Sequence, residues 1–283
     1  MAPEIFKNAF WQLAKKLGKD FDSIQIFSDN PTIPWELMIP VSPDGKVTRG
    51  FLGTEFNVGR WHLAEGFTLT EKPPQSLAID RLSVIAPKYT GRLKLRYQLE
   101  EEKMLAQKRG YKSVGGKFLQ VRELFTNNPQ GIIHFAGHAG VLPTGSTFKD
   151  FALQLEDRDL NVQSWKGLIP GRFKAHPFFF FNACHIGQTE RVANFVNGWA
   201  PAALDAGASG YIGALWPVND KGAYEFATKF YEILESKLKE GPVTVGEVLR
   251  ETRKEFSKNG SPTFLAYVYY GDPGLTFSDK PMK

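Results

Sequence analysis

Sulfur is scarce: one cysteine, Cys184, stands among 283 residues. No internal disulfide can form, so nothing in the fold requires an oxidising compartment. Long apolar runs are missing as well. None approaches the roughly 18 residues that a membrane-spanning helix needs, and Met1 to Lys16 lack an apolar core of signal-peptide length. Charge of one sign is also modest. A formal net charge of +5 is too diffuse to argue for a nucleic-acid partner. Repeats at a fixed period and low-complexity tracts are absent. These absences lead us to expect a cytoplasmic globular protein with no membrane partner. The 42% hydrophobic and 23% charged residues agree with that class, and 23 phenylalanines suggest heavily packed strands.

What is present centres on the stretch Phe178-Phe179-Phe180-Phe181-Asn182-Ala183-Cys184-His185. A short apolar run after a proline reads as a strand buried on both faces. Cys184 would leave that strand at the carboxyl edge of the sheet, where ligands bind in open α/β sheets. Around it the spacing predicts a helix over 4–17, a strand over 23–27, and strands at 82–87, 131–136, 210–216 and 264–270. Helices are expected over 93–108, 199–206, 221–239 and 244–257, with a helix remnant over 121–125. Strands alternating with helices indicate an α/β sandwich with a mainly parallel sheet. Glu71-Lys72-Pro73-Pro74-Gln75 is the best candidate linker, dividing the chain into residues 1–75 and 76–283.

A thiol needs a base. His138 sits in Ile132-Ile133-His134-Phe135-Ala136-Gly137-His138-Ala139-Gly140, again at a strand's carboxyl end, 46 residues before Cys184 (184 − 138). Neighbouring parallel strands would present both at one sheet edge. An imidazole there can take the thiol proton and return it to a leaving amine. A histidine about 50 residues before an Ala-Cys pair is also the caspase arrangement.

With those residues in view, the chain resembles the CHAT-domain cysteine peptidases, relatives of caspases and separase. The resemblance spans roughly residues 24–277. It rests on Ile33-Pro34-Trp35-Glu36-Leu37, His134-Phe135-Ala136-Gly137-His138, Asn182-Ala183-Cys184, Ala206-Gly207-Ala208, Leu215-Trp216-Pro217-Val218-Asn219-Asp220, Phe230-Tyr231 and Tyr270-Gly271-Asp272-Pro273. It implies a caspase-like three-layer α/β/α sandwich whose smaller N-terminal half is non-catalytic. It implies Cys184 as nucleophile and His138 as base, with no metal or cofactor. The oxyanion would be held by backbone N–H groups of Cys184 and Ala139, with Gly140 next in line. In many relatives a glycine follows the histidine; here it is Ala139. The resemblance also places Leu215 and Trp216 along the bound peptide, with Asn182 in the pocket for the residue before the cut. Basic-specific relatives carry aspartate at that place. Asn182 is uncharged, and Asp220 or Asp205 could restore an acid. The partners implied are a protein or peptide substrate and a separate activating sensor protein. Many relatives act in stress or antiviral defence. The alternative is a fold-keeping regulatory module that cleaves little.

Several residues carry plainer readings. His134 lies about 13 Å along an extended strand from His138, too far to share a zinc, and reads as a packed strand histidine. His185 points away from its neighbour and is at best a wall. Trp216 fits a core as well as a groove. The basic cluster Lys88, Arg92, Lys94, Arg96, Lys103, Lys108, Arg109, Lys112, Lys117 and Arg122 is interleaved with Glu100, Glu101 and Glu102, as on a solvated helix face.

Overall fold

A computed structural model describes residues 4–28, 30, 33–62, 74–108, 110–141, 151–185 and 193–279. Its strands are β1 (Ser23–Ser28), β2 (Asn57–His62), β3 (Ser76–Ala78), β4 (Leu82–Ile85), β5 (Tyr111–Ser113) and β6 (Ile132–Val141). The later ones are β7 (Phe151–Gln154), β8 (Asp159–Asn161), β9 (Phe178–His185), β10 (Gly210–Ala214), β11 (Val243–Thr244), β12 (Tyr267–Gly271) and β13 (Thr276–Ser278). The helices are α1 (Glu4–Leu17), α2 (Leu52–Glu55), α3 (Arg96–Leu105), α4 (Phe118–Thr126), α5 (Val162–Lys166), α6 (Ala193–Asp205), α7 (Asp220–Leu238) and α8 (Val245–Lys258). Among the described residues, no helix is long and apolar enough to cross a membrane.

The main sheet runs β1-β2-β12-β10-β9-β6-β4-β5, with β7 and β8 attached beyond β6. Its pairs are parallel except β10 with β12 and the β6-β7-β8 extension. The front of the chain adds β1 and β2 to this same sheet through a pairing of Tyr270 with Arg60. A small second sheet joins β11, β13 and β3.

The phenylalanine run explains the layering. Successive strand residues point to opposite faces, so Phe178 and Phe180 enter one core and Phe179 and Phe181 the other. The first core contains residues of α3, α7 and α8, the second residues of α4, α5 and α6. All four rings are at most 1% exposed, and fully burying one is worth about 1.5–3 kcal/mol. Sheet and two helical layers make a three-layer α/β/α sandwich, as the sequence led us to expect.

Strand order also positions the site. From β4 the chain goes outward to β5, then crosses back to β6 on β4's other side. Such a reversal opens a crevice at the carboxyl ends of the two strands. The segment after β4 and the end of β6 frame it.

Two expectations about strand ends need correction. β6 continues through His138 to Val141, and β9 continues through Cys184 to His185. Both catalytic candidates therefore lie within strands rather than in turns beyond them. The cause is mutual pairing: the β6–β9 register holds as far as Ala139 with His185, and β7 pairs with Ala139, Gly140 and Val141 from the other side. The helix remnant at 121–125 is the whole helix α4, and α6 begins at Ala193.

Candidate active site

His138 and Cys184 are direct Cα partners on β6 and β9. Matched positions on adjacent strands share a face of a pleated sheet, so the pair expected from spacing alone is brought side by side. The side chains of Cys184 and His185 lie outside the described residues. That of His138 is well defined. It is 6% exposed, and its Nε2 lies 2.7 Å from the backbone carbonyl oxygen of Leu93. A carbonyl can only accept, so Nε2 carries a proton in either charge state. In the neutral ring Nδ1 is then the bare nitrogen. Nδ1 is buried and has no hydrogen-bond partner among the described residues. This is the arrangement a base requires.

Leu93 was not legible as a site residue. It ends the single 3-10 turn Gly91–Leu93, in the segment between β4 and α3. Tyr89, from that segment, fixes the backbone of His138. Its hydroxyl accepts from the His138 N–H at 2.8 Å and donates to the Gln154 carbonyl at 2.7 Å. Its ring lies 4.5 Å from the imidazole. A side chain at Gly137 would strike the Tyr89 hydroxyl and the Phe135 ring, which accounts for the glycine before the histidine.

Beneath the pair is a buried polar cluster. Glu101, 2% exposed, accepts from His134 Nε2 at 2.6 Å and from Asn182 Nδ2 at 2.8 Å to each oxygen. Asn182 Nδ2 also donates to the Ala223 carbonyl at 3.0 Å, and its Oδ1 accepts from the Tyr267 hydroxyl. Burial, reinforced by the Glu101 charge, holds the Tyr231 hydroxyl well above its ordinary pKa. It stays neutral and lies 3.0 Å from His134 Nδ1. A buried carboxylate is tolerable only with such a set of partners. His134 is thus a satisfied core histidine.

The same contacts place Asn182 elsewhere than in a pocket wall. At 2% exposed, with its amide committed to Glu101, Ala223 and Tyr267, it offers nothing to a substrate. Asp220 is likewise engaged. Its carboxylate accepts the backbone N–H groups of Tyr97 at 2.7 Å and Gln98 at 3.0 Å. Asp205 ends α6, which leads back to the start of β10, and so lies at the opposite sheet edge, 3.6 Å from Lys166. Leu215 is 3% exposed in the core. Trp216 is half-buried and packs against both cores. Of the candidates at this sheet edge, Trp216 and Asp220 are both partly exposed, and the Asp220 carboxylate is already taken up by two backbone N–H groups. In the basic cluster, Lys103 and Lys108 pair with Glu100 and Glu235; Arg109 lies outside the described residues.

The expected oxyanion donors are also constrained. The Phe178 N–H donates to Gly131 O, toward β6, and the Ile132 N–H to Arg81 O, toward β4. Direction alternates along a parallel ladder. The Cys184 N–H therefore faces β6 and the Ala139 N–H faces β9. Both point into the ladder, not into the crevice. Gly140 pairs with Ala152 of β7.

Comparison with known structures agrees with this architecture. Gingipain R (RGPB), an Arg-specific cysteine proteinase, superposes with a TM-score of 0.62 at 14% identity, covering 97% of this chain and 68% of that one. The complex of Porphyromonas gingivalis RgpB pro- and mature domains gives 0.63 at 14% identity, over 97% and 70%. The Saccharomyces cerevisiae separase–securin complex gives 0.52 at 15%, over 87% of this chain but only 15% of that one. No curated protein sequence matches. The fold is that of caspase-like cysteine proteases. The CHAT domain family matches residues 12–276, nearly the whole chain, and the protein belongs to that family.

Proposed function

We propose that the protein is a cysteine endopeptidase with Cys184 as nucleophile and His138 as base. His138 Nδ1 takes the thiol proton as the sulfur attacks the scissile carbonyl carbon. The tetrahedral intermediate collapses to a thioester, and the imidazolium returns its proton to the leaving amine. Water, deprotonated by the same nitrogen, then cleaves the thioester and restores the thiol. The observation that carries this reading is the matched register of the two residues, with Nε2 held by Leu93 and Nδ1 left bare. Asn182 and Asp220 are spent on the protein's own donors, so neither supports a preference for Arg or Lys before the cut. A protein substrate lying past Trp216 fits the remaining surface. The test is a proteome-wide comparison of new N-termini generated by the wild-type chain and by Cys184→Ala. Cuts that vanish in the variant support the assignment; identical maps overturn it.

One observation favours a second reading, a regulatory module that cleaves little. With both strand ends paired, the N–H groups of Cys184 and Ala139 face neighbouring strands, and an oxyanion would require them to part. An absence of cuts from the wild-type chain, with a folded protein, favours this alternative.

A further inference from the structure

We propose that Asp220 is a positioning residue for the peptidase reaction, acting on His138 through the carbonyl of Leu93. The inference rests on the assignment of His138 as the base and adds a residue that neither spacing nor register supplies.

Helix α3 starts without a cap of its own. Its N-cap position is Leu95, whose side chain accepts nothing, although the first N–H groups of a helix need an acceptor. Asp220 supplies one from more than a hundred residues away, through its bonds to Tyr97 and Gln98. Its carboxylate also stands in the first turn of α7. It thus lies at two helix N-termini, and both dipoles favour the negative charge there. The ring of Tyr97 stacks on Tyr224 of α7 at 5.9 Å, and Gln98 Nε2 donates to Pro87 O and Ala136 O, each at 2.9 Å. The start of α3 is therefore tied to α7, to the end of β4 and to β6 two residues before His138.

Leu93 lies three residues before that anchored start. Its own turn is weakly held: Leu93 N–H to Thr90 O and Lys94 N–H to Gly91 O are both 3.3 Å. The turn keeps its carbonyl on Nε2 because the first turn of α3 is fixed, and Asp220 is the acceptor that caps that turn. Asp220 also follows directly on the Leu215–Asn219 segment. The chain that turns past Trp216 is the chain that holds the carbonyl behind the base. A peptide pressing on Trp216 thus bears on the residue that orients His138.

The experiment combines kinetics with imidazole nitrogen NMR on the full chain, comparing wild type, Asp220→Ala and Asp220→Asn. The kinetic probe is a peptide acyloxymethyl ketone. Asp220→Ala is expected to lower the maximal inactivation rate about 10- to 100-fold through misplacement of the base, with the half-saturating probe concentration changed less than about twofold. Asn keeps one acceptor for α3, so Asp220→Asn should recover most of the rate. In the nitrogen spectrum, neutral His138 should be the Nε2–H tautomer in wild type and a mixture in Asp220→Ala. A lower melting temperature with unchanged rate and unchanged tautomer would make Asp220 a helix cap only and overturn the proposal. If wild type takes no label, the peptidase assignment fails instead, and the tautomer comparison still decides whether Asp220 governs His138.

Discussion

Asn182→Asp is expected to destabilise the protein by about 3–5 kcal/mol at neutral pH, the range for an uncompensated buried charge. The change is nearly isosteric, and aspartate is the residue that basic-specific relatives carry two before the cysteine. Here it would face Glu101, which now accepts two hydrogen bonds from Asn182 Nδ2. Two carboxylates at that separation cannot both ionise in the interior. The sign follows from linkage. The new carboxyl would have a folded pKa above its unfolded value of about 3.9. The penalty is therefore absent at low pH, grows as pH rises past the unfolded value and levels off above the folded one. Urea denaturation at about pH 4 and about pH 7.5 should show a small difference from wild type at the lower pH and a large one at the higher. Asn182→Leu adds no charge but takes a donor from the buried Glu101 carboxylate, so its cost should exceed about 1–3 kcal/mol, the range for a neutral unsatisfied group.

Glu36→Gln is the second large effect. Glu36 is 3% exposed and shares its carboxylate between Arg60, also 3% exposed, and Arg253, 1% exposed. Arg60 Nε donates to it at 2.9 Å, and Arg60 Nη2 makes a second bond. Arg253 Nη2 lies 3.9 Å away and donates to the Tyr267 carbonyl at 2.8 Å. Burial pulls Arg253 down to about 10 against the pull of Glu36, so it remains charged at neutral pH. Burial pushes the Glu36 carboxyl up, but the Arg60 charge and hydrogen bond, with Arg253 behind them, leave it lowered. A lowered carboxyl contributes stability that is present above its unfolded pKa and lost as pH falls through its folded one. Removing the charge should cost about 3–5 kcal/mol at neutral pH, and the gap should narrow as acid protonates wild-type Glu36. Chemical denaturation of both proteins across pH measures it.

The layered α/β fold followed from apolar runs alternating with helical spacing, and the Phe178–Phe181 strand fills both cores as its period of two demands. The register of His138 against Cys184 was legible because each closes an apolar run, and the two runs pair in one sheet. Leu93 was not, because it contributes a carbonyl that any residue could offer, and side-chain type leaves no trace of it. Asn182 and Asp220 were read as pocket residues since their own neighbourhoods say nothing of partners 81 and 122 residues away. The extension of β6 to Val141 escaped because Gly137 and Gly140 look like a turn. Gly137 continues as strand through its pairing with Ala183 of β9, and Gly140 through the antiparallel pairing to β7, a strand of four residues.

The central claim is that Cys184 is activated by His138 across the β6–β9 pair. Its most direct test is the site and rate of covalent labelling by a peptide acyloxymethyl ketone, followed by mass spectrometry of the intact chain and its digest. One label is expected, on Cys184, formed in the wild type and slowed about 100-fold or more in His138→Ala, the scale of a lost general base. Failure of the folded wild-type chain to take the label, or an equal rate in His138→Ala, would contradict it.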